Sequence, residues 1–293
     1  MNTLSLLDRG QANTGRRCLQ RWIGLGCSVL GLSALSAQAQ HAHLNAGAYS
    51  TEQGAQLYFV NGANFVTNSG YVVSLSFTNA GVQAGLYQGG ITFTALPATI
   101  NTGGPAFGHA ALGSFLELEM VSLEGPEDGE LGFWEFGDAA PRFTLDTGDL
   151  SGTNRFDLSE GEGLPGDDPY GHIHGRSFTA SRAGLYSLGV RLLDRSRNGT
   201  GGGPIHTPSE LFHLHFQAGL TIARWSRLED RMQVSFGTHP GHSYYLERTS
   251  QLGEAASWTT VAGPVAGNDH LQTLEDGGAT NAPAFYRLRR TTP

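Results

Sequence analysis

Phe115-Leu116-Glu117-Leu118-Glu119-Met120-Val121 sets charged residues between apolar neighbours. Successive side chains of a strand point to opposite faces, so this stretch reads as a strand with a buried face and a wet face that carries Glu117 and Glu119. Similar β-rich runs lie on both sides of it, at 57–60, 71–77, 91–96, 132–136, 177–179, 185–192 and 211–216, separated by Gly, Asn and Pro. No window carries the 3.6-residue apolar period and the caps of a three-turn helix. Many short strands with turn signals between them predict an all-β chain whose main body is a β-sandwich. Two long loops interrupt the pattern, SEGEGLPGDD at 159–168 and NGTGGGPIHTP at 198–208. Unstructured loops of that length are uncommon unless they serve a function.

The composition shifts after Gly219. Residues 220–293 hold further β runs at 221–228, 231–236, 244–248, 258–261 and 285–288, which predicts a small second β module. A length of 293 residues suits two such bodies. Glycine is abundant at 42 residues, yet no G-X-Y period or heptad repeat accompanies it, and 10% aromatics exclude a disordered chain. The net charge is −8. With so acidic a balance no basic face for phosphate is expected, and no nucleic-acid partner.

Residues 1–39 read as a secretory signal peptide: Arg9, Arg16, Arg17 and Arg21, an apolar stretch at 22–35, then Ala37-Gln38-Ala39 as cleavage site. Both a general secretory route and a twin-arginine route fit the basic segment. Cleavage there leaves Gln40 first, removes Cys18 and Cys27, and takes the net charge from −8 to −11, because four Arg and one Asp leave with it. The mature chain therefore has no thiolate, and any metal site in it is built from imidazole and carboxylate. No later apolar run is long enough to span a bilayer. The expected location is secreted or periplasmic.

All eleven histidines lie beyond residue 39. Three pairs share H-x-H spacing: His41/His43, His172/His174 and His213/His215. Residues two apart on a strand face the same way, so each pair offers two imidazoles about 6–7 Å apart, close enough to reach one ion. Zinc takes nitrogen ligands at about 2.0–2.1 Å in tetrahedral array, and two such pairs on adjacent strands supply four donors. The expected ligands are His41, His43, His172 and His174, with His109 or His206 as a further one and Asp167 or Asp168 completing the shell. Glycines around His172, His174 and His206 allow close backbone approach. Phe212-His213-Leu214-His215-Phe216 is also explained by strand alternation, with both histidines on a solvated face. His239, His242 and His270 are expected to be separate surface residues. Copper or another late first-row ion suits the same donors.

HAHLNAGA, LYFVNGA, YVVSLSF, ITFTALP with GPAFGHAALGS, DPYGHIHGRSFTASRAGLYSLGV and GGGPIHTPSELFHLHFQAG together resemble a family of exported bacterial proteins controlled by the zinc-uptake repressor. GHIHGRSFTASRAGLYSLGVRLLD is also similar to the H-x-H segment of anchored actinobacterial surface proteins that travel with metal-uptake transporters. The resemblance spans about residues 41–219 and implies a zinc-linked role outside the cytoplasm, with a metal-uptake system or envelope component as partner. The 220–293 segment resembles a fibronectin-like module found at the C-terminus of many secreted bacterial proteins, and here it replaces the family's sorting tail. A nucleophile elbow, Walker loop, dinucleotide fingerprint and HExxH helix are all absent, so no enzyme is expected. The expected function is to hold, buffer or hand over zinc. The alternative is a non-enzymatic surface or matrix sandwich that binds a protein or glycan.

Overall fold

A computed structural model describes residues 43–66, 69–99, 107–150, 154–253, 256–279 and 283–292. The expected signal segment 1–39 and the expected ligand His41 lie outside them. The described chain is all-β and sandwich-like, with no α-helix among the described residues. Its strands are β1 (His43–Ala48), β2 (Leu57–Phe59), β3 (Val73–Phe77), β4 (Tyr87–Gly89), β5 (Thr92–Ala95), β6 (Leu116–Glu124), β7 (Glu130–Trp134), β8 (Phe143–Asp146) and β9 (Asn154–Asp157). They continue with β10 (Ser177–Ala180), β11 (Gly184–Asp194), β12 (Phe212–Ala218), β13 (Arg224–Leu228), β14 (Arg231–Gly237), β15 (Ser243–Thr249), β16 (Thr259–Ala266), β17 (Leu271–Asp276) and β18 (Phe285–Thr291). No helix among the described residues is long and apolar enough to cross a membrane.

A nine-stranded sheet runs in the order β8-β7-β10-β4-β3-β12-β11-β6-β9, and a three-stranded sheet β2-β1-β5 packs with it. Ring contacts show how the large sheet closes. Phe133 of β7 stacks on Phe156 of β9 at 4.2 Å, although these strands lie near opposite ends of the sheet order. The sheet therefore curls until its margins meet over a shared aromatic core. Phe93 of β5 completes that core, 5.6 Å from Phe156 and 6.4 Å from Phe178. A phenylalanine that touches both margins and the centre has no neighbour able to fill its space. Phe133→Ala should cost about 3–5 kcal/mol of unfolding free energy. Urea titration checks this; a loss under about 1 kcal/mol would show that the margins do not depend on the ring.

The charged face of β6 corrects the sequence expectation. Glu117 and Glu119 are buried. Arg155 bonds one oxygen of Glu119 and Arg191 the other, while Arg195 lies 2.8 Å from Glu117. Arginine stems from β9 and β11 cover the face that alternation alone assigned to water. Burial pushes the Glu117 pKa up, and the Arg195 charge opposes that shift.

Beyond residue 219, β13-β14-β17 and β16-β15-β18 form two small sheets around a second hydrophobic cluster of Val234, Phe236, Tyr244, Leu246 and Leu274. Strand β17 has no counterpart among the sequence-predicted runs, because LQTLED carries few β-branched or aromatic residues. The described residues pack as one compact unit. Where the small sheets meet the large one, Tyr71 and His270 form an antiparallel bridge. Val72 N–H donates to Asp269 O, Leu271 N–H to Gly70 O and Ser74 Oγ to Thr238 O.

Candidate metal centre

Strand β1 begins the arrangement. It pairs in parallel with β5, His43 opposite Thr92 and Asn45 opposite Thr94. Leu44, Ala46 and Ala48 are buried in the core, so His43 and Asn45 take the other face together with Thr92 and Thr94. Asn61 holds this end of the strand, its Nδ2 donating to His43 O and its Oδ1 accepting from Asn45 N–H. The His43 ring rests against the buried Thr94, with Nδ1 3.1 Å from Oγ1.

The second contribution comes from GHIHG. Gly171 bridges Ala95 with bonds in both directions, 2.9 and 3.2 Å, which lays this segment along the outer edge of β5. Only glycine fits there: a Cβ would fall on the Leu158 carbonyl, 2.7 Å from its carbon. Arg176 anchors the far side, with a guanidinium 2.9 Å from Glu135 and 4.9 Å from the Phe156 ring centre.

These two anchors bring three imidazoles together. Ring centres of His43 and His172 are 4.7 Å apart, His172 and His174 4.3 Å, and His43 and His174 6.5 Å. His172 Nε2 is buried without a hydrogen-bond partner, a costly state for a polar atom. His174 is exposed to solvent. Glu160, which the sequence gave no reason to single out, accepts the His172 N–H at 2.8 Å. Asp167 and Asp168 do not join the cluster as expected. Asp167 accepts from Leu164 N–H, and Asp168 from the N–H groups of Ala98 and Tyr170, so both act as loop staples.

His109 and His206 are not brought to these rings. Gly108, next to His109, meets β1 at Ala48, the strand end opposite His43, roughly 16 Å away at about 3.3 Å per residue. His206 is buried at 1% exposure, and both its nitrogens are used. Nδ1–H faces Ala55 O at 3.1 Å, and Nε2 accepts from Ala111 N–H at 2.9 Å. That fixes the neutral tautomer and leaves no lone pair for a metal. The expectation that His206 adds a ligand is corrected: it ties the glycine-rich loop to the body, together with Asp194, which accepts from the N–H groups of Ile205 and His206.

Burial lowers the His206 pKa, with only partial opposition from Ala55 O and Asp194. The unfolded chain then takes up a proton near the ordinary value of about 6.5 that the folded chain refuses. Its contribution to stability is whole above that pH and drains away as pH falls toward the lower folded value. His206→Gln should therefore flatten the acid limb of stability below about pH 6.5. Urea midpoints across that range check it; an unchanged slope would assign the limb to other groups.

His213 and His215 sit on the outward face of β12, between buried Phe216 and Leu214 and half-buried Phe212. Burial, and next the neighbouring His213, lowers the His215 pKa. The expectation of scattered histidines in the C-terminal module is also corrected: His239 and His242 rings are 5.5 Å apart, and His239 faces Asp269.

Among the described residues, no group of three or more histidine, cysteine, aspartate or glutamate side chains is arranged so that it could hold a metal ion. The His43 ring packs edge to face on His172 and His174, whose own rings are tilted 39° to each other. Their spacing nevertheless brackets the roughly 5 Å between ring centres that three imidazoles adopt around one tetrahedral ion. No protein-family model matches this chain, and no curated protein matches it.

Proposed function

We propose that this is an exported zinc-binding protein that holds, buffers or hands over the ion outside the cytoplasm. The observation behind this is the meeting of His43, His172 and His174 from segments far apart in sequence, with a buried, unpartnered Nε2 among them. Small ring rotations would turn three nitrogens inward, and the family resemblance over 41–219 points to the same metal. His43, His172 and His174 would hold the ion, with Thr94 steadying the His43 ring and Glu160 the backbone of His172. Imidazole and carboxylate donors suit zinc and other late first-row ions. An exposed His174 suits an ion that must exchange rather than one sealed in a structural site.

Elemental analysis and zinc titration of untagged protein test this. About one equivalent at this cluster is expected. Zinc takes the neutral imidazole, so uptake should fall steeply below about pH 6. Less than about a tenth of an equivalent, with no uptake on titration, would favour the second reading, a surface sandwich that binds a glycan or protein. That reading has its own observation: Tyr49 and Tyr58 stack at 4.1 Å with Tyr49 open to solvent, an aromatic face of the kind on which sugar rings lie.

A further inference from the structure

We propose that the turn from His239 to His242 and the facing turn 267–270 form a second divalent-cation site, of zinc type, at the seam between the small sheets and the large one. It is independent of the three-histidine cluster.

The local sequence explains the first half. His239-Pro240-Gly241-His242 places proline at the second position of a β-turn and glycine, at φ +77°, at the third. That is the signature of a type II turn, which brings its first and fourth residues within about 7 Å. Both of those residues are histidines, and their rings stand 5.5 Å apart. The backbone of His239 is pinned by its N–H donating to the buried Tyr244 hydroxyl at 2.8 Å.

The second half is Gly267-Asn268-Asp269-His270. Gly267 donates to His242 O and presses so close to His239 that a Cβ would collide with its carbonyl. Asp269 is held at φ +58°, a left-handed conformation few residues other than glycine adopt, and this aims its carboxylate at His239. His239 Nδ1 is buried and 3.4 Å from Asp269 Oδ1. That is long for an N–H···O bond, whose usual range is about 2.7–3.2 Å. It equals the edge of about 3.4 Å between a nitrogen and an oxygen sharing one tetrahedral ion at about 2.0–2.1 Å. Two donors are thus already at ligand spacing. His242 Nδ1 lies 3.3 Å from Pro240 O, and exchanging that long bond for the ion would bring its ring in as the third donor. His270, whose Nδ1 bonds Asn268 O, flanks Asp269 and supports it from the neighbouring position.

The place gives the site a consequence. Asp269 O accepts from Val72 N–H, and His270 bridges Tyr71, so an ion held by Asp269 tightens the contact between the small sheets and the large one.

Zinc titration of untagged full-length protein carrying His172→Ala and His174→Ala isolates this site. About one equivalent should remain, and adding His242→Ala or Asp269→Asn should weaken it by more than about tenfold, at least the effect of losing an outer-shell partner. His242 lies on a turn, and Asn keeps the shape of Asp, so melting temperatures in chelator should match the parent and confirm folding. No uptake by the His172/His174 variant overturns the seam site and leaves the first cluster standing. So does uptake that His242→Ala and Asp269→Asn both leave unchanged. No uptake by wild type overturns both.

Discussion

Replacing His172 and His174 together with alanine should remove about one equivalent of zinc and the share of thermal stabilisation that zinc provides through it. Zinc binds the folded chain and so stabilises it by mass action, about 2.7 kcal/mol at a hundredfold excess over the dissociation constant. For a body of this size that is a rise of roughly 5–10 °C in melting temperature. The empty protein should be little affected. His174 is exposed, and the bond from residue 172 to Glu160 is made by backbone N–H, which alanine keeps. His109→Ala, at the other end of β1, is the control and should retain zinc. Differential scanning calorimetry with zinc and with chelator reads both quantities. If the two variants behave alike, the cluster is not the metal centre, whatever zinc the protein binds elsewhere.

Gly171→Ala should damage both the fold and the centre. The added methyl group meets Leu158 carbonyl atoms and Ser159 Cα, all backbone, so no side chain can swing away. The segment must leave the edge of β5 and give up its paired bonds with Ala95. Overpacking costs about 1–3 kcal/mol and each of the two lost bonds about 0.5–1.5, so a loss of about 2–6 kcal/mol is expected. His172 and His174 move with the segment, away from His43, and zinc affinity should fall with stability. Gly203→Ala, where a Cβ meets only Thr200 O at 4.0 Å, should leave both unchanged. A Gly171→Ala protein with wild-type melting temperature and wild-type zinc uptake would show that the edge pairing does not position the rings.

Much of the strand pattern was legible because alternation is local. Phe212, Leu214 and Phe216 pack inward and His213 and His215 outward, as a period of two requires. The same period put His43 on the face opposite Leu44. Alternation misjudged Glu117 and Glu119, because it says which side a residue faces and nothing about the arginines that later cover that side. The type II turn of His239-Pro240-Gly241-His242 was readable from its proline and glycine, and it was the signal overlooked in the C-terminal module.

The sequence by itself determined the β character and the inward–outward alternation of strands such as Phe212–Ala218, since these depend on composition and on neighbours one or two residues away. Only the tertiary structure decided which histidines meet. His43 reaches His172 through the parallel register of β1 on β5 and the bridge of Gly171 to Ala95, contacts between residues dozens of positions apart. His206 has the same glycine-rich surroundings as the others in sequence, yet the fold spends both its nitrogens on Ala55 and Ala111. A side chain's chemistry is local, whereas its partners are set by long-range strand pairing, and no short stretch of chain encodes that pairing.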